Sequence, residues 1–94
     1  MDVRQTGHFR DRIRSLRDRR AAERINIRIA RLEGGLFGDA KFFDGIGELR
    51  IDYGPGYRVY FVRRGNTVVV LLCGGDKSSQ VQDIRRAQDM AREL

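Results

Sequence analysis

The chain has one cysteine, one proline and one histidine in 94 residues, and each scarcity removes a class of explanation. With Cys73 alone, no internal disulfide can form, and a reducing compartment is the natural setting. Cys73 also ends an apolar segment, so it reads as a small buried hydrophobe rather than a nucleophile. No Cys/His cluster has metal-ligand spacing and no G-x-x-x-x-G-K-[ST] loop occurs, so neither a metal nor a nucleotide cofactor is expected. The longest apolar run, Val68 to Cys73, is too short to cross a bilayer, and no basic-then-apolar leader stands at the start. The expectation is a soluble, cytoplasmic protein. With a single proline, 40% hydrophobic and 34% charged residues, the composition is that of a folded domain rather than a disordered tail.

What the chain does have is positive charge. A net charge of +6 and a pI near 10.4 point to a polyanion or an acidic protein as partner. The length suits one domain, residues 1–94, with a single core.

The stretch from Gly47 to Phe61 organises the rest. Leu49, Ile51 and Tyr53 alternate with Glu48, Arg50 and Asp52, and Val59 and Phe61 alternate with Arg58 and Tyr60, the period-two pattern of strands with one apolar face. A three-residue Gly54-Pro55-Gly56 loop keeps apolar opposite apolar and predicts Asp52 opposite Arg58, Arg50 opposite Tyr60 and Leu49 opposite Phe61. Arg64 to Thr67 then reads as a turn with a two-residue centre, Gly65-Asn66, which puts Phe61 opposite Val70 and Arg58 opposite Cys73. The strand Thr67 to Cys73 is apolar on both sides and belongs inside the sheet.

Upstream, Asp2 to Thr6 has the alternation of a short strand. Phe9, Ile13 and Leu16 recur at helical spacing from Gly7 to about Arg17, with Thr6 as cap. Asp18 caps a second helix, about Arg20 to Glu33, which aligns Ala22, Ile25, Ile29 and Leu32 and ends at Gly34-Gly35. Ile27 falls roughly on the opposite face, where it is either buried by a second neighbour, the expected case, or available to a partner protein. Leu36 to Ile46 reads as a glycine-rich connector. At the C-terminal end, Ile84, Ala87, Ala91 and Leu94 mark a helix from about Ser79, and Ser79 with Gln82 matches an S-x-x-Q capping box. That helix starts beside Asp52, Arg58 and the Cys73-to-Lys77 exit of the last strand. Backbone N–H groups at a helix start, with Arg and Lys close by, suit a phosphate.

The element order and long residue runs resemble the RelE/ParE superfamily of toxins from bacterial toxin-antitoxin modules, especially its HigB-like group, the addiction-module killer proteins. The runs include Leu16-Arg17-Asp18, Arg28-Ile29, Phe37-Gly38-Asp39, Glu48-Leu49-Arg50-Ile51, Gly54 through Phe61, and Leu71 through Ser78. The resemblance implies an α+β fold in which an N-terminal strand and helix hairpin pack on an antiparallel sheet, with a C-terminal helix. It implies a toxin that cleaves mRNA, commonly at the ribosome, and so inhibits translation. The implied partners are mRNA, a cognate helix-turn-helix antitoxin that neutralises the toxin, and operator DNA only through that antitoxin.

Such cleavage needs a base, an acid and positive charge for the developing oxyanion. By resemblance, Arg58 holds the scissile phosphate and Arg50 shares that work. Glu48 or Asp52 is the candidate base, and Lys77, oriented by Asp76, approaches the leaving oxygen. Asp52 opposite Arg58 equally matches a structural cross-strand ion pair, and Asp76, Ser78 and Ser79 equally match helix capping. Lys41, Tyr57, Tyr60 and Arg63 complete the candidate RNA contacts, the tyrosines by hydroxyl or stacking. The sole histidine, His8, lies away from this cluster, so the site would rely on Lys and Arg. Two alternatives remain open: a ParE-like inhibitor of DNA gyrase without RNA chemistry, and a degenerate toxin that only binds antitoxin.

Overall fold

In the computed structural model, which describes residues 1–94, the chain runs through β1 (Asp2–Gln5), α1 (Gly7–Ser15), α2 (Arg19–Glu33), β2 (Ala40–Phe43), β3 (Ile46–Ile51), β4 (Tyr57–Arg64), β5 (Val68–Asp76) and α3 (Gln80–Arg92), with a 3₁₀ turn over Lys77–Ser79 before α3. The strands form one sheet in the order β1-β5-β4-β3-β2. The fold is α+β as expected, but the sheet is mixed rather than antiparallel. Successive reversals orient β2 to β5, and β1 then docks parallel on the free edge of β5, pairing Val3 with Val69 and Gln5 with Leu71. A bare apolar edge would invite pairing with another chain, and β1 covers it.

The alternation of the strands sorts side chains to two faces. Toward α1 and α2 lie Leu49, Ile51, Val59, Phe61, Val69 and Leu71, packed with Phe9, Ile25, Ile29 and Leu32. Toward α3 lie Ile46, Tyr60, Val62, Leu72 and Cys73, closed by Ala87 and Ala91. Burying each large aliphatic side chain contributes about 1.5–3 kcal/mol, so most of the stabilisation sits in these two clusters.

Local chemistry fixes the helix starts. Thr6 Oγ1 accepts from Phe9 N at 3.1 Å while donating to Leu72 O at 2.7 Å, which caps α1 and ties it to β5. Asp18 Oδ1 accepts from Arg20 N and Ala21 N at 3.0 and 3.1 Å, the cap expected for α2. Ala21 rather than Ala22 is the buried alanine of the first turn. Ile27 is 51% exposed, against the expected burial, because nothing packs on the outer face of α2. Leu94 is exposed as well, lying beyond the end of α3.

Both strand registers differ from expectation. Ile51 pairs with Tyr57, Arg50 with Arg58, Leu49 with Val59 and Glu48 with Tyr60, so the β3–β4 loop spans Asp52 to Gly56. Two added residues in the loop preserve the faces but change every partner. The loop is closed locally by Tyr53 N to Ile51 O and Gly56 N to Tyr53 O, and Gly54 and Gly56 take positive φ. On the other side, Arg64 pairs with Val68 and Phe61 with Leu71; a bulge then carries Tyr60 to Cys73 and Arg58 to Gly75.

The expected connector before β3 contains a fifth strand. β2 pairs with β3, Lys41 opposite Glu48 and Phe43 opposite Ile46, through an Asp44-Gly45 turn with φ of 27° and 80°. Positive φ at both positions is the type I′ hairpin, whose preferred residues include Asp-Gly.

Candidate functional site

Arg50 and Arg58 stand directly opposite each other on β3 and β4, facing the α3 side of the sheet. Two like charges at that spacing are unfavourable unless each is compensated. Arg50 is compensated in the open: its Nη2 and Nε donate to Asp39 Oδ1 at 2.6 and 3.1 Å, with side chains 44% and 54% exposed. Arg58 is compensated in the interior. Its side chain is 13% exposed, and its Nε lies 4.0 Å from Oε1 of Glu48, which is 1% exposed. Arg58 Nη1 donates to the carbonyls of Gly56 and Tyr57 at 3.0 and 3.2 Å, leaving Nη2 without a protein partner.

Glu48 is held from the helix side as well. Gln80 Nε2, at the first residue of α3, donates to Glu48 Oε2 at 2.9 Å. Three atoms of this cluster are buried without a hydrogen-bond partner: Glu48 Oε1, Arg58 Nε and Tyr60 Oη. Burial, followed by the adjacent Glu48 carboxylate, pushes the Tyr60 hydroxyl well above the usual tyrosine range, so it stays protonated.

The start of α3 comes this close because Gly75, the partner of Arg58 on β5, has no side chain. A Cβ there would collide with the Asp83 carboxylate and crowd Ser79 Oγ. Ser79 Oγ donates to Asp83 Oδ2 at 2.5 Å and makes no helix cap, so the expected Ser79–Gln82 capping box is absent. Asp76 caps the preceding 3₁₀ turn instead, accepting from the Ser78 N–H at 2.8 Å and the Ser78 hydroxyl at 2.5 Å. The Ser78 hydroxyl, with its N–H, holds the Asp76 carboxyl below its ordinary pKa. Asp76 is thus committed to the turn and forms no ion pair with Lys77, contrary to the expected orienting role.

Arg50, Arg58 and Lys77 line one concavity of about 460 Å³ with Asp39, Asp52 and the Gly54-Pro55-Gly56 loop. Gly56 lets the elements meet, since a Cβ there would lie 3.3 Å from Arg58 Nη1 and 3.6 Å from Lys77 Cβ. Arg28 fixes the far wall: from α2 it donates to the carbonyls of Arg50, Phe37 and Asp39 at 2.5, 2.9 and 3.0 Å. Burial lowers its pKa despite the nearby Asp39. Chemically, this is a site with two guanidiniums and an ammonium for an anion, and carboxylates at its rim.

The remaining predicted residues divide. Glu48 does not line the concavity, and full burial removes it as a base that touches a substrate. The altered register frees Asp52 from Arg58 and puts it on the rim, so the cross-strand ion pair does not form. Lys41 is exposed beside Glu48 on the same face, its Nζ 5.8 Å from the Phe43 ring centroid. Tyr60 is fully buried and has no face for stacking. Tyr57 turns to the opposite side of the sheet and packs on the apolar core there. Arg63 also lies away from the concavity, over the Phe37 ring at 5.6 Å. His8 is exposed, its Nε2 3.5 Å from Arg86 Nη1.

Sequence reasoning missed Gln80, Asp39 and the role of Arg28. For Asp39 a signal existed: reading Asp44-Gly45 as a hairpin turn extends the sheet by β2 and brings Asp39 alongside Arg50. Gln80 carried no such signal, because its contact spans the sheet and the helix.

A Haemophilus influenzae protein described as uncharacterized is 48% identical over 95 residues, an alignment covering all of this chain and 96% of that protein. The chain belongs to that protein's family. No protein-family profile matches the chain, and no solved structure matches it significantly. No group of His, Cys, Asp and Glu is arranged to hold a metal ion. No helix is long and apolar enough to cross a membrane.

Proposed function

We propose that the protein is a toxin of the RelE/ParE type whose concavity at Arg50, Arg58 and Lys77 binds and cleaves RNA. The observation that carries this reading is the convergence of three cations from three segments on one concavity, with one guanidinium anchored in the interior. An anchored, partly desolvated arginine is worth more to an oxyanion than a mobile surface one.

In the reaction, the 2′-hydroxyl oxygen bonds to the adjacent phosphorus as the bond from phosphorus to the 5′-oxygen breaks. The products are a 2′,3′-cyclic phosphate and a 5′-hydroxyl. Arg58 and Arg50 hold the non-bridging oxygens. Asp52, on the rim, takes the 2′-hydroxyl proton in place of the buried Glu48, and the Lys77 ammonium gives a proton to the leaving oxygen. Arg50 exchanges its Asp39 partner for phosphate, a change that exposed ion pairs permit because they are worth about 1 kcal/mol or less. The reading carries with it a cytoplasmic location, where translated mRNA is found, and a cognate antitoxin that masks the basic surface and mediates any operator binding.

The test is mRNA with translating ribosomes and the purified protein, with new 5′ ends mapped by primer extension. Discrete cuts are expected from the wild type, reduced about 10²- to 10³-fold in Arg58→Ala, the usual effect of losing one oxyanion donor. Arg58→Lys keeps the charge beside Glu48 and guards against mere unfolding; it too should lose most activity, because lysine lacks the fork. Intact mRNA together with toxicity would sink the ribonuclease reading and turn attention to gyrase supercoiling.

A further inference from the structure

The concavity is lined by Arg58 but neither by Glu48, which lies behind Arg58, nor by Gln80, which holds Glu48. Glu48 is buried beside the Tyr60 hydroxyl, yet its Oε1 makes no hydrogen bond and lies 4.0 Å from the Nε of Arg58, while its Oε2 is taken by Gln80. A buried ion pair of this kind brings little net stability, since desolvation offsets the attraction. Its consequence here is orientation: with Nε turned to Glu48 and Nη1 committed to the Gly56 and Tyr57 carbonyls, Nη2 is the nitrogen left for an anion. Gln80 opens α3, and Gly75 is the residue whose missing side chain lets that helix start settle against the sheet.

From this geometry we infer that Gln80 and Glu48 form a relay, Gln80 to Glu48 to Arg58, through which the seating of the first turn of α3 sets the anion affinity of the concavity. Both are positioning residues. The inference deepens the ribonuclease reading by assigning control of its phosphate site to a helix that does not line it. Displacing that turn releases Glu48, lets the guanidinium rotate and weakens the site without removing a single cation from it.

The experiment uses the full chain, with nitrogen-15 NMR of the Arg58 Nε–H group and titration with inorganic phosphate, in the wild type, Glu48→Gln, Gln80→Leu and the double variant. Circular dichroism checks folding, and both substitutions nearly conserve volume. In the wild type the Arg58 Nε–H should be protected from exchange and should shift on phosphate addition. Each single variant should lose that protection and raise the half-saturating phosphate concentration about tenfold. Because Gln80 acts only through Glu48, the double variant should be no weaker than Glu48→Gln alone. Additive losses, or an Arg58 signal unchanged in Gln80→Leu, overturn the relay. RNA cleavage is measured on the same four proteins. Phosphate binding with the expected non-additivity but intact mRNA upholds the relay and defeats the ribonuclease reading, whereas cleavage at wild-type level in both single variants defeats the relay alone.

Discussion

On the α1/α2 side of the sheet, ten buried apolar side chains from strands and helices close on one another without a buried polar group among them. On the α3 side the buried apolar set has seven members, two of them alanines, and it shares its space with Glu48 and Asp83. All three buried side-chain atoms left without a hydrogen-bond partner, Glu48 Oε1, Arg58 Nε and Tyr60 Oη, lie on this second face. One face is built for stability, and the other gives up part of that stability to hold charge in place. Departures from local consistency are expected where function is located, and here they coincide with the residues that support the concavity.

The largest test of this contrast is Phe61→Ala. Phe61 is fully buried in the apolar face and its ring covers Gly47, where a Cβ would collide with it. Its loss should lower unfolding free energy by about 3–5 kcal/mol in urea denaturation, enough to threaten a domain of this size. A smaller effect, comparable to trimming a methylene, would mean that the faces do not differ in the way described.

Next in size is Gly75→Ala, which adds one methyl group where Asp83 and Ser79 press on β5. Overpacking of this kind costs about 1–3 kcal/mol. The substitution should also weaken anion binding at Arg58, because α3 must move away from the strand. Destabilisation with unaltered binding would separate the packing of that helix from the site.

The pH dependence offers a third test on the same face. Burial, then the Asp83 carboxylate, pushes the Cys73 thiol from 9.0 up to about 12. In the window between those values the unfolded chain releases the proton and the folded chain keeps it, so stability falls as pH rises, by at most about 1.4 kcal/mol per pH unit from this group. Tyr60, raised for the same primary reason, adds to the decline above about pH 10. Chemical denaturation at pH 8 to 11 should show the loss, with a shallower slope in Cys73→Ala; an identical slope would mean that the thiol ionises no harder in the folded protein than in the unfolded one.

The smallest effect is expected on the apolar face's own boundary. Asp18→Ala removes the cap that accepts from Arg20 and Ala21 and should cost about 1 kcal/mol by thermal or urea denaturation. If the protein cleaves RNA as proposed, that cleavage should be unchanged, since Asp18 does not line the concavity.

The amino-acid sequence by itself determined the helices, through apolar spacing and through the Thr6 and Asp18 caps, and it determined which side of the sheet the residues of β3 and β4 face; on β5 the one-residue difference in register puts Val69 and Leu71, rather than Val70 and Leu72, on the face of Val59 and Phe61. Those signals are local: a period of two or of 3.6 and a capping side chain act within a few residues of chain. It also singled out Arg50, Arg58 and Lys77, which the fold brings to one concavity. Partner identity was decided only by the tertiary structure. Adding two residues to a hairpin loop leaves every face intact, so alternation could not distinguish Asp52 from Arg50 as the neighbour of Arg58. The bulge in β5, which brings Gly75 to Arg58, leaves no trace in the alternation of β4. Glu48 looks like an exposed strand residue in sequence because its neighbours alternate with apolar ones; it is buried because Gln80, thirty-two positions away, arrives with α3 to cover it. Burial and orientation depend on what packs across the sheet, and that long-range packing is the property that a short-range pattern cannot encode.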